Sequence, residues 1–149
     1  ARIVESDRIR KAICGVAPDT RLPDTAYAPD VSEAVYRAMA DRAAMLLRAG
    51  CSVVAEAVFE HPERRDAIVA AGREVGVPVA AIWLDAPPGE LRRRVATREP
   101  GASDATVAVL DRQLSRDPGP VDWTRVPTGR PLEATLRAIR SVIGIGEER

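Results

Sequence analysis

The sequence of 149 residues is poor in aromatic residues, and this shortage limits the folds open to it. Aromatics make up 3% of the residues, although hydrophobic residues as a whole reach 46%. A core built mainly from Ala, Val, Leu and Ile suits helices lying on a sheet better than an aromatic-rich β-sandwich. The length fits one domain of ordinary size.

Cysteine and histidine are equally scarce. The sequence has two cysteines, Cys14 and Cys51, and a single histidine, His61. With no second cysteine pair and no histidine cluster, we expect neither a disulfide framework nor a zinc site, but two buried thiols in a reducing compartment. His61 stands before Pro62, which is typical of a helix start, so a Ser-His-Asp or Cys-His catalytic arrangement is not expected.

The sequence also lacks an excess of charge and a long apolar run. The 22 Lys and Arg residues balance the 22 Asp and Glu residues. Nucleic acids and anionic membranes normally select a basic surface, so neither is predicted as a partner. There is no run of 18 apolar residues and no signal-peptide pattern, which predicts a soluble, cytoplasmic protein. Lys11 is the only lysine, a bias that we attribute as much to codon usage as to chemistry.

Strand-like and helix-like segments alternate, as in a parallel sheet wrapped by helices. Strands are predicted at 2–5, 51–59, 77–84 and 123–127. These strands are nearly continuous apolar runs, so both of their faces are expected to be buried. Functional groups in such sheets collect at the carboxyl ends of the strands.

Several intervening helices have recognisable starts. Asp30, followed by Glu33 three residues later, is a predicted N-cap. Ser103 is a second predicted N-cap. For Asp104, which follows it, capping is the first interpretation and contact with a ligand the second. Pro131 begins the last helix. Its predicted buried stripe consists of Leu132, Leu136, Ile139 and Ile143.

Asp7 and Arg10 follow the first strand directly. On a helix their spacing of i and i+3 places them on one face. Asp7 can accept a proton from a substrate hydroxyl or orient it, and Arg10 can hold a phosphoryl group. The alternative is structural: Ser6 or Asp7 caps the helix and the arginine lies at the surface.

Glu56 interrupts the apolar second strand near its carboxyl end, where a Mg²⁺-organising acid belongs in a phosphoryl-transfer site. Alternatively the strand ends early and Glu56 is partly solvated or paired with an arginine.

Arg94 and Arg98, spaced i and i+4 on an arginine-rich helix, can clamp nucleotide phosphates. The alternative, and the commoner case for a run of arginines, is a solvated basic face of the helix.

Five segments occur in a recognisable order: SDRIRK, VVAEAVF, WLDAPPGELRRRVATR, GASDAT and VDWTRV. Together they resemble the small ATP-binding P-loop kinases described as AAA-type ATPases or zeta-toxin-like kinases. The version attached to aminoglycoside-phosphotransferase-like domains in bacteria is the most similar. The resemblance implies a three-layer α/β fold, a parallel sheet with helices on both faces, and ATP and Mg²⁺ as cofactors.

The resemblance also implies roles for the candidate residues. Asp7 and Arg10 would be catalytic, on the acceptor side, Arg94 and Arg98 would bind the nucleotide, and Glu56 would stand at the Mg²⁺ position, where relatives usually have Asp. The implied function is transfer of the ATP γ-phosphoryl group to a hydroxyl of a small molecule, with a fused or associated phosphotransferase domain as a possible partner.

The family's G-x-x-x-x-G-K-[ST] loop is missing, since none of the ten glycines is followed by lysine. We therefore expect one P-loop kinase-like domain over residues 1–149 that lacks the first strand and the P-loop. The missing strand would lie between the strands containing Val53 and Ile82, which leaves two unpaired edges. Two alternatives follow: a non-catalytic, degenerate module that regulates or docks a partner domain, or an ATPase without a phosphoryl acceptor.

Overall fold

The computed structural model describes residues 1–99 and 101–144. Over these residues the chain forms four strands, six α-helices and one 3₁₀-helix, Asp24–Tyr27. The strands are β1 (Arg2–Glu5), β2 (Val53–Glu56), β3 (Ile82–Asp85) and β4 (Thr124–Pro127). The helices are α1 (Ser6–Ile13), α2 (Pro29–Arg48), α3 (Pro62–Val75), α4 (Pro88–Thr97), α5 (Val107–Leu114) and α6 (Leu132–Val142).

The strands pair in two parallel ladders, β1 with β2 and β3 with β4. Neighbouring parallel strands need a crossover connection, which α1 and α2 provide for the first pair and α4 and α5 for the second. The predicted α/β class with parallel strands is therefore confirmed. The three-layer arrangement and the absent first strand and P-loop remain predictions.

The chain divides into two compact units. The first comprises Ala1–Val79 and Glu99–Ala105, and the second comprises Ala80–Arg98 and the chain from Thr106 onwards. The first unit contains the β1–β2 pair and the second contains the β3–β4 pair. That residues 1–149 form one P-loop kinase-like domain remains a prediction.

The core of the first unit lies on one side of the β1–β2 pair. Val4 of β1 is buried together with Val35 and Met39, which lie one turn apart on α2 as the helical pattern predicts. The other side of this pair is open, because Ile3 is 66% exposed and Val54, opposite it in the register, is 53% exposed. The expectation that both faces are buried is therefore wrong for these strands.

The helix ends agree only in part with the local signals. α3 begins after His61 and stops at Gly76, whose φ of 77° places it in the left-handed region that favours glycine, as expected. The N-cap of α2 is Ala28 rather than Asp30. α5 begins later than predicted, after Thr106, whose hydroxyl accepts a hydrogen bond from the amide of Val109 at 3.3 Å.

Two expectations about burial are wrong. Leu132 of α6 is 70% exposed and Leu136 is also exposed, while Thr135 is buried and α6 contacts β4. The predicted apolar stripe is therefore not the buried face of α6. Cys14 is an exposed free thiol, although it was expected to be buried. Among the described residues, no helix is long and apolar enough to cross a membrane.

Candidate functional site

Asp7 lies in the first turn of α1, immediately beyond the carboxyl end of β1. The N-cap position is taken by Glu5, whose carboxylate forms an ion pair with Arg8. Ser6 and Asp7 are therefore the first two helical residues rather than caps. This places the half-buried Asp7 side chain at the sheet edge where ligands of parallel α/β proteins bind.

The guanidinium group of Arg10 is buried against the 3₁₀-helix. Its Nη1 donates hydrogen bonds to the carbonyl oxygen of Ala26 at 2.7 Å and to the hydroxyl of Ser32 at 3.3 Å. Its Cζ lies 4.6 Å from the centre of the Tyr27 ring. The Nε atom is buried and has no hydrogen-bond partner among the described residues. Arg10 thus fastens the 3₁₀-helix to α1, and its role toward a substrate remains a prediction.

The next residue, Lys11, is the centre of a buried polar cluster. Its side chain is 1% exposed, and Nζ donates to the two carboxylate oxygens of Asp104 at 2.8 and 2.9 Å. Nζ also donates to the carbonyl oxygen of Thr20. Asp104 Oδ2 accepts further hydrogen bonds from the amide of Leu22 at 3.0 Å and the hydroxyl of Tyr27 at 2.8 Å. This Lys11–Asp104 cluster joins α1, residues 20–27 and the segment before α5 within the first unit.

The cluster changes the ionisation of its members. Burial raises the pKa of Asp104, but hydrogen bonds from Lys11, Tyr27 and the Leu22 amide outweigh it, so the net pKa is lowered. Burial raises the pKa of Tyr27, and the adjacent Asp104 carboxylate raises it further, because a phenolate there would face a second negative charge. Asp104 is therefore the charged acceptor and Tyr27 the neutral donor.

The lowered pKa of Asp104 predicts that the protein loses stability in acid. Ionised Asp104 contributes its full stabilisation above the unfolded-state pKa of about 3.8, and this is lost as the pH falls through the lower folded-state pKa. We expect Asp104→Asn to reduce the decline in unfolding free energy between pH 6 and pH 2, as measured by urea unfolding. The control is Asp111→Asn. If the unfolding free energy of Asp104→Asn falls with pH as steeply as that of the original chain and of Asp111→Asn, the assignment is contradicted.

Glu56 is the last residue of β2 and its side chain is exposed. The strand ends here and leaves Glu56 solvated, which is the structural alternative that the sequence left open. In the parallel register Glu56 lies opposite Glu5, so both side chains belong to the same face at the carboxyl edge of the pair. No group of three or more potential metal-ligating side chains occurs among the described residues.

Arg94 is held at the carboxyl edge of the β3–β4 pair. Its Nη1 and Nη2 donate to the hydroxyl and the carbonyl oxygen of Thr128 at 3.2 and 2.5 Å, and its Nε donates to Glu90 at 2.7 Å. Thr128 follows the last residue of β4, and its amide donates to the carbonyl oxygen of Asp85, the last residue of β3, at 2.6 Å. The predicted nucleotide-binding arginine thus lies where ligands of parallel sheets bind.

Arg98 does not share the helical face of Arg94. α4 ends at Thr97, and Arg98 has an extended backbone with ψ of 136°. The predicted i, i+4 pair on one helix is therefore wrong, although the nucleotide role of Arg98 is untested. Arg92 pairs with Asp111 on α5 at 2.7 Å, so part of the arginine run contacts the neighbouring helix within the second unit.

The predicted site residues divide between the two units. Asp7, Arg10 and Glu56 belong to the first, and Arg94 and Arg98 to the second. The sequence reasoning missed the Lys11–Asp104 cluster, although the single lysine among 22 basic residues was a usable signal. A compact ammonium group presents three donors that a planar guanidinium cannot arrange in the same way.

A family model described as AAA domain matches residues 1–120. Comparison with curated proteins gives no match, and neither does comparison with solved structures. The matched segment covers most of the chain, including α1, β2 and α4 with their candidate residues. Proteins of this P-loop NTPase-related family generally bind nucleotide together with Mg²⁺. The chain belongs to the AAA domain family.

Proposed function

We propose that the chain is the ATP-binding part of a kinase that transfers the γ-phosphoryl group of Mg·ATP to a hydroxyl of a small molecule. The observation that carries the proposal is the AAA domain match over residues 1–120, because proteins of that family generally bind nucleotide. The positions of Asp7 and Arg94 at the carboxyl ends of parallel strands support it, because such edges are where α/β sheets bind ligands.

Asp7 is assigned to the acceptor. In the proposed step the acceptor hydroxyl oxygen attacks the γ-phosphorus, a new P–O bond forms, and the bond between the γ-phosphorus and the β–γ bridging oxygen breaks to release ADP. The hydroxyl proton passes to the Asp7 carboxylate, which is within reach of solvent. Arg10 lies one turn further along α1, and in this scheme it holds the acceptor or the transferring phosphoryl group.

Arg94 and Arg98 are assigned to the nucleotide phosphates. Arg94 is already oriented by Thr128, so little side-chain entropy remains to be lost when an anion binds. Its delocalised charge suits the oxygens of a phosphate.

Mg²⁺ fits the carboxyl edge of the β1–β2 pair. The exposed Glu56 offers carboxylate oxygens, and Glu5 lies opposite it in the register with its carboxylate paired to Arg8. Mg²⁺ is commonly bound by one or two carboxylates together with substrate phosphates and water. When bound, it would supply charge neutralisation for the phosphates.

A second candidate is a non-catalytic module of the same family that docks or regulates a partner domain. The observation in its favour is that Arg10 already serves the fold, through its hydrogen bonds to Ala26 and Ser32. A third, an ATPase without an acceptor, differs from the kinase in forming no phosphorylated product.

Calorimetric titration of Mg·ATP into the folded chain tests nucleotide binding. We expect Arg94→Ala to weaken binding by about ten- to a hundredfold, since a charged hydrogen bond is worth about 1.5–3 kcal/mol. The control is Arg92→Ala, which removes an arginine of the same helix that faces Asp111. Equal binding by the two variants would contradict the role of Arg94, and a folded chain that binds no Mg·ATP would favour the non-catalytic module.

Phosphoryl transfer is tested with γ-labelled ATP and a panel of aminoglycosides, sugar acids, polyols and nucleotide sugars. With an acceptor that is phosphorylated, Asp7→Asn in the intact protein should lower kcat by about 10²–10⁴. Asp30→Asn, on α2, is the control. Release of inorganic phosphate alone would indicate the ATPase.

A further inference from the structure

Glu90 forms a carboxylate bridge between two arginines in the second unit. Its Oε2 lies 2.6 Å from Nη2 of Arg93, and its Oε1 lies 2.7 Å from Nε of Arg94. The Glu90 side chain is 19% exposed, whereas that of Arg93 is 72% exposed. The Glu90 carboxylate is thus largely shielded from solvent, while the two arginine side chains remain open to it.

The same arginines lie at a fixed place on the sheet. Thr128 holds the two terminal nitrogens of Arg94, and the hydroxyl of Thr128 in turn donates to the carbonyl oxygen of Asp85 at 3.1 Å. The Nε edge of Arg94 faces Glu90 and not Thr128. An anion can therefore replace the Glu90 carboxylate on Arg93 and Arg94 without breaking the contacts that position Arg94.

We propose that Arg93 and Arg94 form a polyphosphate site and that the Glu90 carboxylate occupies it when no nucleotide is bound. This inference rests on the proposed nucleotide role of Arg94 and adds Arg93 as a second ligand of the phosphates and Glu90 as an intramolecular competitor. A carboxylate and a phosphate present similar pairs of charged oxygens to a guanidinium group. Glu90 therefore protects the arginine pair from weak anions and yields to a ligand that carries several charges.

The expected size of the competition follows from the geometry. Two exposed ion pairs on one helix must be given up when phosphate binds, which corresponds to a loss of about three- to fivefold in affinity. Repulsion between the Glu90 carboxylate and the incoming phosphates adds to this loss at low ionic strength. Removing the Glu90 charge should therefore tighten phosphate binding rather than weaken it.

The test is calorimetric titration of inorganic tripolyphosphate, and separately of Mg·ATP, into the full chain and its Glu90→Gln variant. We expect Glu90→Gln to bind tripolyphosphate about three- to fivefold more tightly than the original chain at low salt. The control is Glu133→Gln, which removes the same charge from the first turn of another helix, α6. Adding Arg93→Gln to Glu90→Gln should abolish the gain. Circular dichroism verifies that each variant is folded.

Each outcome decides one claim. A gain for Glu90→Gln that shrinks as salt is raised, with no gain for Glu133→Gln, supports the inference. Equal affinities for the two variants, or no tripolyphosphate binding by any of them, overturn it. If Glu90→Gln leaves the affinity for Mg·ATP unchanged, the claim that Glu90 competes with the nucleotide is removed while the nucleotide proposal stands. If Glu90→Gln binds tripolyphosphate more tightly but the chain does not prefer Mg·ATP over tripolyphosphate, the nucleotide proposal is removed while the competition by Glu90 stands.

Discussion

Replacing Asp104 with alanine is expected to lower the free energy of unfolding by about 3–5 kcal/mol, because the change leaves the ammonium group of Lys11 buried without its counter-ion. The Lys11 side chain is 1% exposed, and its Nζ donates hydrogen bonds to both carboxylate oxygens of Asp104 within 2.9 Å. The substitution also removes the acceptor for the Leu22 amide and the Tyr27 hydroxyl. Urea unfolding at pH 7, followed by circular dichroism, measures the change.

Asp111→Ala is the matched control for this prediction. It breaks an ion pair of similar length, 2.7 Å to Arg92, in which both side chains are about half exposed. Exposed pairs of this kind contribute about 0–1 kcal/mol, so the control should stay near the original stability. The double variant Lys11→Met/Asp104→Leu should recover much of the loss, since it removes both buried charges together. If Asp104→Ala is no more destabilising than Asp111→Ala, the buried pair has been assigned wrongly.

Lys11→Arg is the second large effect that we expect, at about 1–3 kcal/mol of lost stability, even though the charge is kept. The Lys11 side chain is fully enclosed, and its ammonium group donates in three directions, to Thr20 and to both oxygens of Asp104. A guanidinium group is larger and planar, so it must displace neighbouring atoms and cannot reproduce these donor directions. Urea unfolding measures this change as well.

The reverse exchange at the surface, Arg92→Lys, provides the comparison. Arg92 lies on the exposed side of α4 and should tolerate lysine within about 0.5 kcal/mol. A Lys11→Arg variant as stable as Arg92→Lys would mean that the enclosure around Lys11 adapts freely. In that case the single lysine would reflect codon usage and not the packing around it.

The acceptor side of the proposed reaction depends on the same cluster. Tyr27 bridges Asp104 and Arg10, since its hydroxyl donates to the carboxylate while its ring stacks on the guanidinium. The 3₁₀-helix that contains Tyr27 is therefore fixed from two directions. Arg10 was predicted from the sequence as a ligand of the phosphoryl group, and the structure adds a second task for it, holding this helix against α1.

Much of the secondary structure could be predicted because its signals are local. The strands β1 and β4 and the helix α3, with Pro62 at its start and Gly76 at its end, depend on patterns within a few residues. The placement of Asp7 beyond β1 follows from the same patterns. Local signals failed at the start of α5, where Thr106 and not the predicted Ser103 is the N-cap, and where the neighbouring Asp104 pairs with Lys11 instead.

The sequence alone determined the parallel α/β class, the order of the elements and the positions of Asp7 and Glu56 beside strand ends. Only the tertiary structure decided that Lys11 and Asp104, 93 residues apart, form one buried pair, and that Arg94 donates to Thr128, 34 residues further along the chain. The physical reason is the separation along the chain over which each interaction acts. Periodicity and capping act within a turn of helix or a strand, whereas a buried ion pair depends on where the folded chain brings distant segments together.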